Sequence, residues 1–315
     1  MHLHILRPFP AVVVLLAGFQ ALHAAVPSPD RLRVNLLDDR LSVHGLPWFH
    51  EDKPVLRRLP ARRQNTFRPP VWELAQHPSG GRIRFQTDSL TVGLVAENPR
   101  FSNMHHMASV GENGFDLYVD REYLGSAWPD ATGKIAKEWR IGPEPRLREI
   151  TLYLPLYKAV TVTELSLDAN ARLERPAPYA IERPVVYYGS SITQGGCASN
   201  PGGTCPAILE RRLNADFVNL GFSGNGLGDP AVAEAFTAIR SASTSTPPAS
   251  NLPSAKPSSG RLRPQPTIGG TAPFTHGGLP VLNPSQTLGP VDGVHCHSLA
   301  LRFNAAARCP SGAGR

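Results

Sequence analysis

The C-terminal third of this chain has almost no acidic residues. After Glu234 the next acid is Asp292, and no acid follows it. The stretch between Arg240 and Val291 also holds ten prolines and many serines and threonines. A segment of this composition buries too little apolar surface to fold, which predicts a low-complexity, disordered tract over residues 240–288. The alternative is a segment translated out of its original reading frame.

Charged residues are scarce along the whole chain, at 18% of 315 residues, and aromatic residues make up 7%. The formal net charge of +7 comes from 32 Lys and Arg against 25 Asp and Glu, with the arginines scattered. Nucleic-acid binding by a basic surface needs clustered cations, often interleaved with aromatic residues. The sequence has no such helix or patch, so we expect no nucleic-acid partner.

The chain also lacks the ligand spacing of a metal site. Its four cysteines are Cys197, Cys205, Cys296 and Cys309, and none forms a CxxC pair. Cys296 lies between two histidines, but adjacent residues rarely point at one ion. Zinc sites use pairs of ligands at characteristic separations, and none occurs here. We therefore expect neither a metal nor another cofactor.

Only one long apolar run occurs, at residues 11–22. It follows Arg7 and precedes Ala24 and Ala25, which is the order of a signal peptide. The run is short for a membrane span, and no cysteine near Ala25 offers a site for a lipid. We therefore predict a signal peptide at residues 1–25, a secreted or periplasmic protein and no stable membrane anchor.

Export permits disulfide bonds. Cys197 and Cys205 flank the short loop Ala198–Thr204. A bridge between them is one expectation and two unbridged thiols are the other.

The segment 26–175 has the pattern of an all-β domain. Residues 82–97 alternate in the manner of two strands joined by a turn at Asp88-Ser89, after a polar, irregular stretch over 26–70. Residues 114–129 predict a hairpin with its turn at Asp120-Arg121. Two or three further strands are predicted over 148–169. Short alternating strands without helices between them indicate a β-sandwich or jelly roll.

The pattern changes to βαβ over residues 184–239. A strand at 185–189 is followed by a helix from Pro206 to Leu213, a strand at 216–222 and a helix from Pro230 to Ile239. This order is typical of a parallel α/β sheet with helices on its faces. The fold prediction is therefore an all-β sandwich followed by an incomplete three-layer, flavodoxin-like α/β domain.

Ser191 is the candidate nucleophile. It follows the apolar run Val185–Tyr188 and Gly189, so it lies at the carboxyl end of a predicted parallel strand. Folds of this class place their sites at that end. A glycine there allows the sharp turn that exposes a hydroxyl group. An ordinary turn serine is the alternative.

Four segments resemble the SGNH (GDSL-like) hydrolase superfamily, in its two-domain bacterial form with an N-terminal β-sandwich. Residues 189–193 (GSSIT) are similar to the first block, with Ser191 at the nucleophile position. Residues 219–224 (NLGFSG) are similar to the second block. Residues 292–295 (DGVH) are similar to the DxxH block, and residues 114–118 (GFDLY) to the GxDLY signature of the sandwich domain.

The resemblance implies a Ser191–His295–Asp292 triad, with His295 as base and Asp292 orienting its imidazole. It implies an oxyanion hole from the backbone N–H groups of Ser191 and Gly224. The third block of the family, which supplies an Asn side chain, has no match here. Residues 289–315 are a remnant that carries the DxxH motif.

The function implied is an exported serine esterase that hydrolyses acyl esters, acetyl esters above all. Its substrate is an ester, with an acetylated polysaccharide or oligosaccharide as the expected carrier. One alternative is a catalytically inactive remnant whose sandwich binds glycan or is merely structural. Another is a lipase or thioesterase for long acyl chains, although the sequence shows no apolar lid.

Overall fold

The computed structural model describes residues 30–244, and the backbone of 275–276 and 279–280. The strands are β1 (Arg31–Val34), β2 (Ser42–His44), β3 (Arg82–Thr87), β4 (Thr91–Glu97), β5 (Phe115–Val119), β6 (Glu122–Ala127), β7 (Lys134–Arg140), β8 (Arg148–Tyr153), β9 (Thr161–Asp168), β10 (Leu173–Glu174), β11 (Ile181–Gly189), β12 (Ala215–Gly221), β13 (Thr275–His276) and β14 (Leu279–Pro280). The helices are α1 (Phe49–Asp52), α2 (Pro69–Ala75), α3 (Ser109–Asn113), α4 (Ser191–Gln194), α5 (Cys205–Leu213) and α6 (Pro230–Thr244).

Two antiparallel sheets form a sandwich from the N-terminal part of the described chain. One sheet has the order β1-β9-β4-β7, and the other has the order β10-β3-β8-β5-β6 with β2 added beside β3. Inward side chains of both sheets form one buried apolar cluster, which includes Phe85, Leu94, Leu117, Ile135 and Ile150. The strands are amphipathic, so each sheet must cover one face with the other. The predicted β-sandwich is present in this part of the chain.

Of the two turns predicted between paired strands, the one at Asp120-Arg121 is confirmed and the one at Asp88-Ser89 is not. β5 and β6 form the predicted hairpin, and both turn residues, Asp120 and Arg121, have positive φ angles of 51° and 74°. Two left-handed residues match the twist of a tight hairpin. The strands on either side of Asp88-Ser89 do not pair, because β3 pairs with β8 while β4 pairs with β9 in the other sheet. That turn therefore crosses from one sheet to the other.

The segment 26–70 is not the irregular surface stretch that its sequence suggests. β1 pairs with β9 and β2 pairs with β3, so both are sandwich strands. Arg58 and Leu59 are completely buried within the Pro/Arg-rich part. The prediction was wrong here because backbone carbonyl oxygens accept the hydrogen bonds of the Arg58 guanidinium, which removes the usual reason for an arginine to stay in water.

The α/β part consists of the parallel pair β11 and β12 with helices packed on it. Val185 to Gly189 pair in register with Phe217 to Gly221. β11 begins four residues earlier than predicted, at Ile181, and α6 continues five residues further, to Thr244. One face of the pair packs against α2 and α6 in a second buried apolar cluster, which includes Val71, Val186, Leu220 and Val232.

Two buried arginines from the N-terminal part bond to one edge of β12. The Arg82 guanidinium donates to the carbonyl oxygen of Phe217 at 3.1 Å. The Arg58 guanidinium donates to the carbonyl oxygen of Asn219 at 3.3 Å and also to that of Gly221. These carbonyls would otherwise be unpaired at a sheet edge. The sandwich side and the parallel strands are therefore joined by buried polar contacts.

The boundaries of the predicted domains, at 26–175 and 184–239, stay predictions. The tract 240–288 and the remnant 289–315 lie outside the described residues, apart from the last turn of α6 and the short β13–β14 pair. Over the described part, no helix has both the length and the apolar surface of a membrane span.

Candidate active site

Ser191 lies where the sequence predicted, directly after the carboxyl end of β11. Ser190 precedes the short helix α4, and Ser191 is its first residue. A side chain at Gly189 would crowd the Thr193 hydroxyl group and force it to move, which favours glycine in this tight strand-to-helix turn. The carbonyl oxygen of Ser191 accepts hydrogen bonds from the N–H groups of Gly195 and Gly196, at 3.0 and 2.7 Å. The backbone at the candidate nucleophile is therefore held on both sides.

Hydrogen bonds join the first two sequence blocks directly. The Phe222 N–H donates to the carbonyl oxygen of Gly189 at 2.9 Å. The Asn219 side chain donates to the carbonyl oxygen of Thr193 at 2.8 Å. The Ser223 N–H donates to Gln194 Oε1 at 2.9 Å. Because these partners come from β12 and its following turn, the turn at 222–225 lies beside Ser191.

Gly224, the second predicted oxyanion donor, lies in this turn with a φ of 67°. Its N–H donates to Ser190 Oγ at 3.0 Å. A side chain on Gly224 would meet no atom within 4 Å, so the left-handed backbone is the reason for glycine. In this structure the Gly224 N–H is thus occupied by a neighbouring hydroxyl group. Its role as an oxyanion donor stays a prediction.

The buried Gln194 side chain supports the turn at 222–225. The fully buried Gln194 side chain donates to the carbonyl oxygen of Leu156 at 3.1 Å and lies 3.4 Å from His77 Nδ1. Burial, together with the positive charges of Arg58, Lys158 and Arg100, lowers the pKa of His77 from 6.5 to about 3. His77 is therefore neutral at physiological pH and acts as a hydrogen-bonding neighbour, not as a cation.

Tyr157 connects the sandwich side to the nucleophile. Its hydroxyl group donates to the carbonyl oxygen of Ser191 at 3.1 Å. Burial raises the pKa of Tyr157 above its usual value of 10, and a hydrogen bond to Ser223 only partly offsets this. The phenol thus stays protonated and can act as a donor throughout the neutral pH range.

Ser191 opens into a cavity of about 240 Å³. The lining residues come from both halves of the described chain and are Met104, His106, Met107, Tyr157, Ser191, Ile192, Gly196, Cys197 and Ser223. Most of these side chains are apolar or neutral, and three of them, Tyr157, Ser191 and Ser223, carry hydroxyl groups. This combination of an apolar pocket with a few convergent polar groups is the usual character of a small-molecule site.

The segment 101–113, which connects β4 to β5, supplies one wall of the cavity. The Met104 N–H donates to Glu112 Oε2 at 2.7 Å, and the other oxygen of this fully buried carboxylate lies 3.3 Å from Lys158 Nζ. A side chain on Gly111 would place its Cβ 2.2 Å from the carbonyl oxygen of Ala198. The wall is therefore packed tightly against the loop that follows Ser191.

Asp116, the acid of the GxDLY signature, holds the same loop from another side. Its carboxylate is completely buried and accepts hydrogen bonds from Ser126 Oγ, Asn200 Nδ2 and the Gly202 N–H, at 2.6, 2.6 and 2.7 Å. Burial raises the pKa of Asp116, although these three donors oppose the rise. Tyr118 packs on Gly202, where a Cβ would lie 2.4 Å from its ring. The signature thus positions the site loop and does not contact the cavity.

The predicted bridge between Cys197 and Cys205 is wrong. Cys197 has a free, exposed thiol. Its left-handed backbone, with a φ of 61°, directs Sγ toward the carbonyl oxygen of His106 at 3.7 Å. Cys205, the first residue of helix α5 at the other end of the loop, is disulfide-bonded, so the alternative of two unbridged thiols is wrong as well.

Asp292 and His295, the predicted acid and base, lie outside the described residues. The structure therefore brings together Ser191 and Gly224 and does not test the complete triad. Among residues 30–244, no three or more His, Cys, Asp or Glu side chains are grouped to hold a metal ion.

The sequence reasoning missed the residues that the sandwich contributes to the site. Met104, Met107 and Tyr157 lie 34 or more positions before Ser191 and carry no motif of their own. Only Glu112 offered a signal, as an acid close to the GxDLY signature. A long insertion between two strands is a common place for site residues, but its contacts could not be read from the chain.

Together, the sandwich, the parallel pair and the half-buried Ser191 define a class of two-domain protein with a serine at the carboxyl end of a parallel strand. Residues 34–173 match the family model described as the N-terminus of the SGNH hydrolase-type esterase. Residues 182–244 match the GDSL-like lipase/acylhydrolase family. The two parts of the described chain thus each match a family model of SGNH (GDSL-like) hydrolases, the sandwich the GxDLY model and the α/β part the GDSL-like model.

Solved structures share this fold. A crystal structure described as a GDSL-like lipase from Bacteroides ovatus is 28% identical, with a TM-score of 0.59, and the match covers 65% of this chain and 60% of that chain. The salicylyl-acyltransferase SsfX3 from a tetracycline biosynthetic pathway is 20% identical, with a TM-score of 0.50. The match covers 62% of this chain and 55% of that chain. The described fold thus spans about three fifths of the first of these relatives. None of the curated proteins compared with the sequence matches it.

Proposed function

We propose that this protein is an exported serine esterase that hydrolyses short acyl esters, with Ser191 as the nucleophile. The observation that carries the proposal is the position of Ser191. It follows a parallel strand at the first residue of a helix and opens into a cavity beside the glycine turn of the second block. The matches to the two family models support ester hydrolysis as the reaction type.

The proposed mechanism uses two half-reactions. Ser191 Oγ attacks the acyl carbon while His295 takes its proton, and Asp292 orients the imidazole. The tetrahedral intermediate collapses to an acyl-serine, and His295 protonates the departing alcohol. Water then attacks the acyl-serine, His295 takes the proton of the water, and the carboxylic acid leaves as Ser191 regains its hydrogen.

The oxyanion is stabilised in this proposal by the N–H groups of Ser191 and Gly224. Each such donor is worth about 3 kcal/mol in known hydrolases. Because the Gly224 N–H donates to Ser190 Oγ at 3.0 Å, it has to leave that partner, or share the bond, when the intermediate forms. A rotation of the Ser190 side chain is enough to release it.

The proposed substrate is an acetyl ester, carried by a polysaccharide or an oligosaccharide. One feature supports a small acyl group. The cavity, at about 240 Å³, is smaller than the pockets of about 300–1,000 Å³ that take drug-sized ligands. The acceptor sugar would then remain outside the cavity, against the exposed side of the site.

The test is hydrolysis of an aryl acetate by the full chain and by Ser191→Ala. Ser42→Ala, on strand β2 of the sandwich, is the matched control. We expect the Ser191 variant to lose at least about 10³-fold in kcat/KM, as removal of a nucleophile does in other serine hydrolases. The Ser42 variant keeps the rate. A fluorophosphonate probe should add its mass to the peptide containing Ser191 in the wild type only.

Equal rates for the wild type and Ser191→Ala would remove this serine from the reaction. A folded chain that neither hydrolyses the ester nor reacts with the probe would support the alternative of a catalytically inactive protein. Circular dichroism and a cooperative unfolding transition establish that each variant is folded.

A further inference from the structure

The cavity that Ser191 lines is also lined by two methionines, both from the sandwich segment 101–113. Met107 is 92% buried, since its relative exposure is 8%, and it packs with Leu156 and Tyr157 in one apolar cluster. Met104 and Ala198 pack against the same cluster. An unbranched thioether side chain fills irregular apolar space and adapts to a small guest. The two methionine side chains are therefore suited to an acyl group and carry no charge themselves.

This wall is fixed in place by polar contacts that lie behind it. Glu112 is buried, accepts from the Met104 N–H and pairs with Lys158. The carbonyl oxygen of Glu112 also accepts from the Tyr157 N–H at 2.9 Å. Tyr157 in turn donates to Ser191. A chain of bonds thus holds the methionine wall at a constant distance from the serine.

We propose that Met104 and Met107 of the sandwich segment form the acyl-binding wall of the site and set the longest acyl chain that it accepts. The inference rests on the proposed function, because it assigns the acyl side of the same reaction. The class of ligand is a short aliphatic acyl group, from acetyl to about butyryl, carried as an ester. The sandwich is then part of the specificity pocket and not only a scaffold.

The size argument follows from the tight packing of this wall. Because Gly111 contacts the carbonyl oxygen of Ala198 and Tyr157 is tied to Ser191, the wall cannot retreat without breaking these contacts. Packed interiors tolerate little added volume. In this proposal a longer chain meets Met107, whereas a short one ends before it.

The sequence makes a direct binding experiment available. The chain has three methionines, Met1, Met104 and Met107, so two of three methyl signals of a ¹³C-methyl-methionine sample come from this wall. The sample is full-length Ser191→Ala, which cannot turn over the ligand through Ser191. The probes are methyl acetate, methyl butyrate and methyl octanoate, added one at a time. Met104→Leu and Met107→Leu assign the two signals.

We expect the acetate and butyrate esters to shift both wall signals in a saturable way. The octanoate ester should shift neither until Met107 is changed to Ala, after which it should shift the Met104 signal. In hydrolysis by the otherwise unchanged chain, Met107→Ala should raise the octanoyl-to-acetyl ratio of kcat/KM by about tenfold or more, since a few methylenes account for such discrimination. Leu37→Ala, an exposed residue of the sandwich, is the control and should leave the ratio unchanged.

Two results would overturn the inference. One is the absence of shifts at Met104 and Met107 with the short esters. The other is an octanoate ester that binds the wild-type wall as well as the acetate ester does. These outcomes are distinct from failure of the proposed function. A chain with no Ser191-dependent hydrolysis can still show the methyl shifts, and an active esterase can still lack them.

Discussion

Two buried arginines bond to the same edge of β12 in opposite electrostatic surroundings. Arg82 lies between two acids, with Asp216 accepting from Nη2 and Glu210 Oε1 at 3.6 Å from Nε. Arg58 donates only to backbone carbonyl oxygens, those of Leu74, His77, Asn219 and Gly221. Both guanidinium groups are at most 1% exposed.

The difference appears in the pKa values of the two groups. Burial alone would lower the pKa of Arg82, but Tyr179, Asp216 and Glu210 raise it above the usual value. Burial lowers the pKa of Arg58 to about 9, because no acid compensates. Both stay charged at neutral pH. The comparison shows that a buried arginine can serve as one half of an ion network or as a multidentate donor to backbone oxygens.

Replacing Arg82 is the strongest way to break this comparison. Arg82→Met leaves two acids without their counter-charge, and we expect the free energy of unfolding to fall by about 3–5 kcal/mol. Urea unfolding of the full chain, followed by tryptophan fluorescence, measures the loss. Adding Glu210→Gln and Asp216→Asn should recover part of it, because the uncompensated charges are then gone. Arg62→Ala, in a surface pair with Glu51, is the control and should cost less than about 1 kcal/mol.

Arg58→Met should cost less, about 1–3 kcal/mol, because it leaves unpaired carbonyl oxygens but no unpaired charge. Arg58→Lys should not restore stability. One ammonium group cannot reach acceptors on α2, at His77 and on β12 together. If Arg58→Met lowered the free energy of unfolding as much as Arg82→Met does, the charges of Asp216 and Glu210 would not explain the difference between the two arginines.

The pH dependence of stability tests the surroundings of Arg58 through its neighbour His77. Its neighbour His77 has a pKa lowered to about 3 in the folded state, whereas an unfolded histidine takes a proton near 6.5. As the pH falls from 6.5 toward 3, the unfolded state therefore binds a proton that the folded state does not. Stability should fall by up to about 1.4 kcal/mol per pH unit from this group.

The measurement compares wild type and His77→Gln between pH 6.5 and 5, where most carboxylates stay ionised. We expect the variant to lose about 1–2 kcal/mol less over this interval. His50→Gln, on the surface near α1, should follow the wild type. Parallel curves for wild type and His77→Gln would mean that His77 is protonated in the folded protein.

The sequence indicated the sandwich, the hairpin at Asp120-Arg121 and the strand–turn–helix at Ser191 because each depends on neighbouring residues. The alternation of apolar and polar residues indicates the strands, and a glycine followed by small hydroxyl residues indicates the turn. Alternation did not reveal that Asp116 and Tyr118 are buried on the second face of β5. That face is covered by the loop after Ser191, which is 75 residues further along.

The sequence by itself therefore determined the candidate nucleophile and the classes of the two parts of the chain. It also determined that residues 189–193 and 219–224 are the two blocks that belong to one site. These follow from local backbone preferences and motif spacing. Only the tertiary structure decided that Arg58 is buried, that Cys197 is free and that Met104, Met107 and Tyr157 wall the cavity. Such contacts join residues tens to hundreds of positions apart, and they are selected by which polar groups can be satisfied when the sandwich closes on β12.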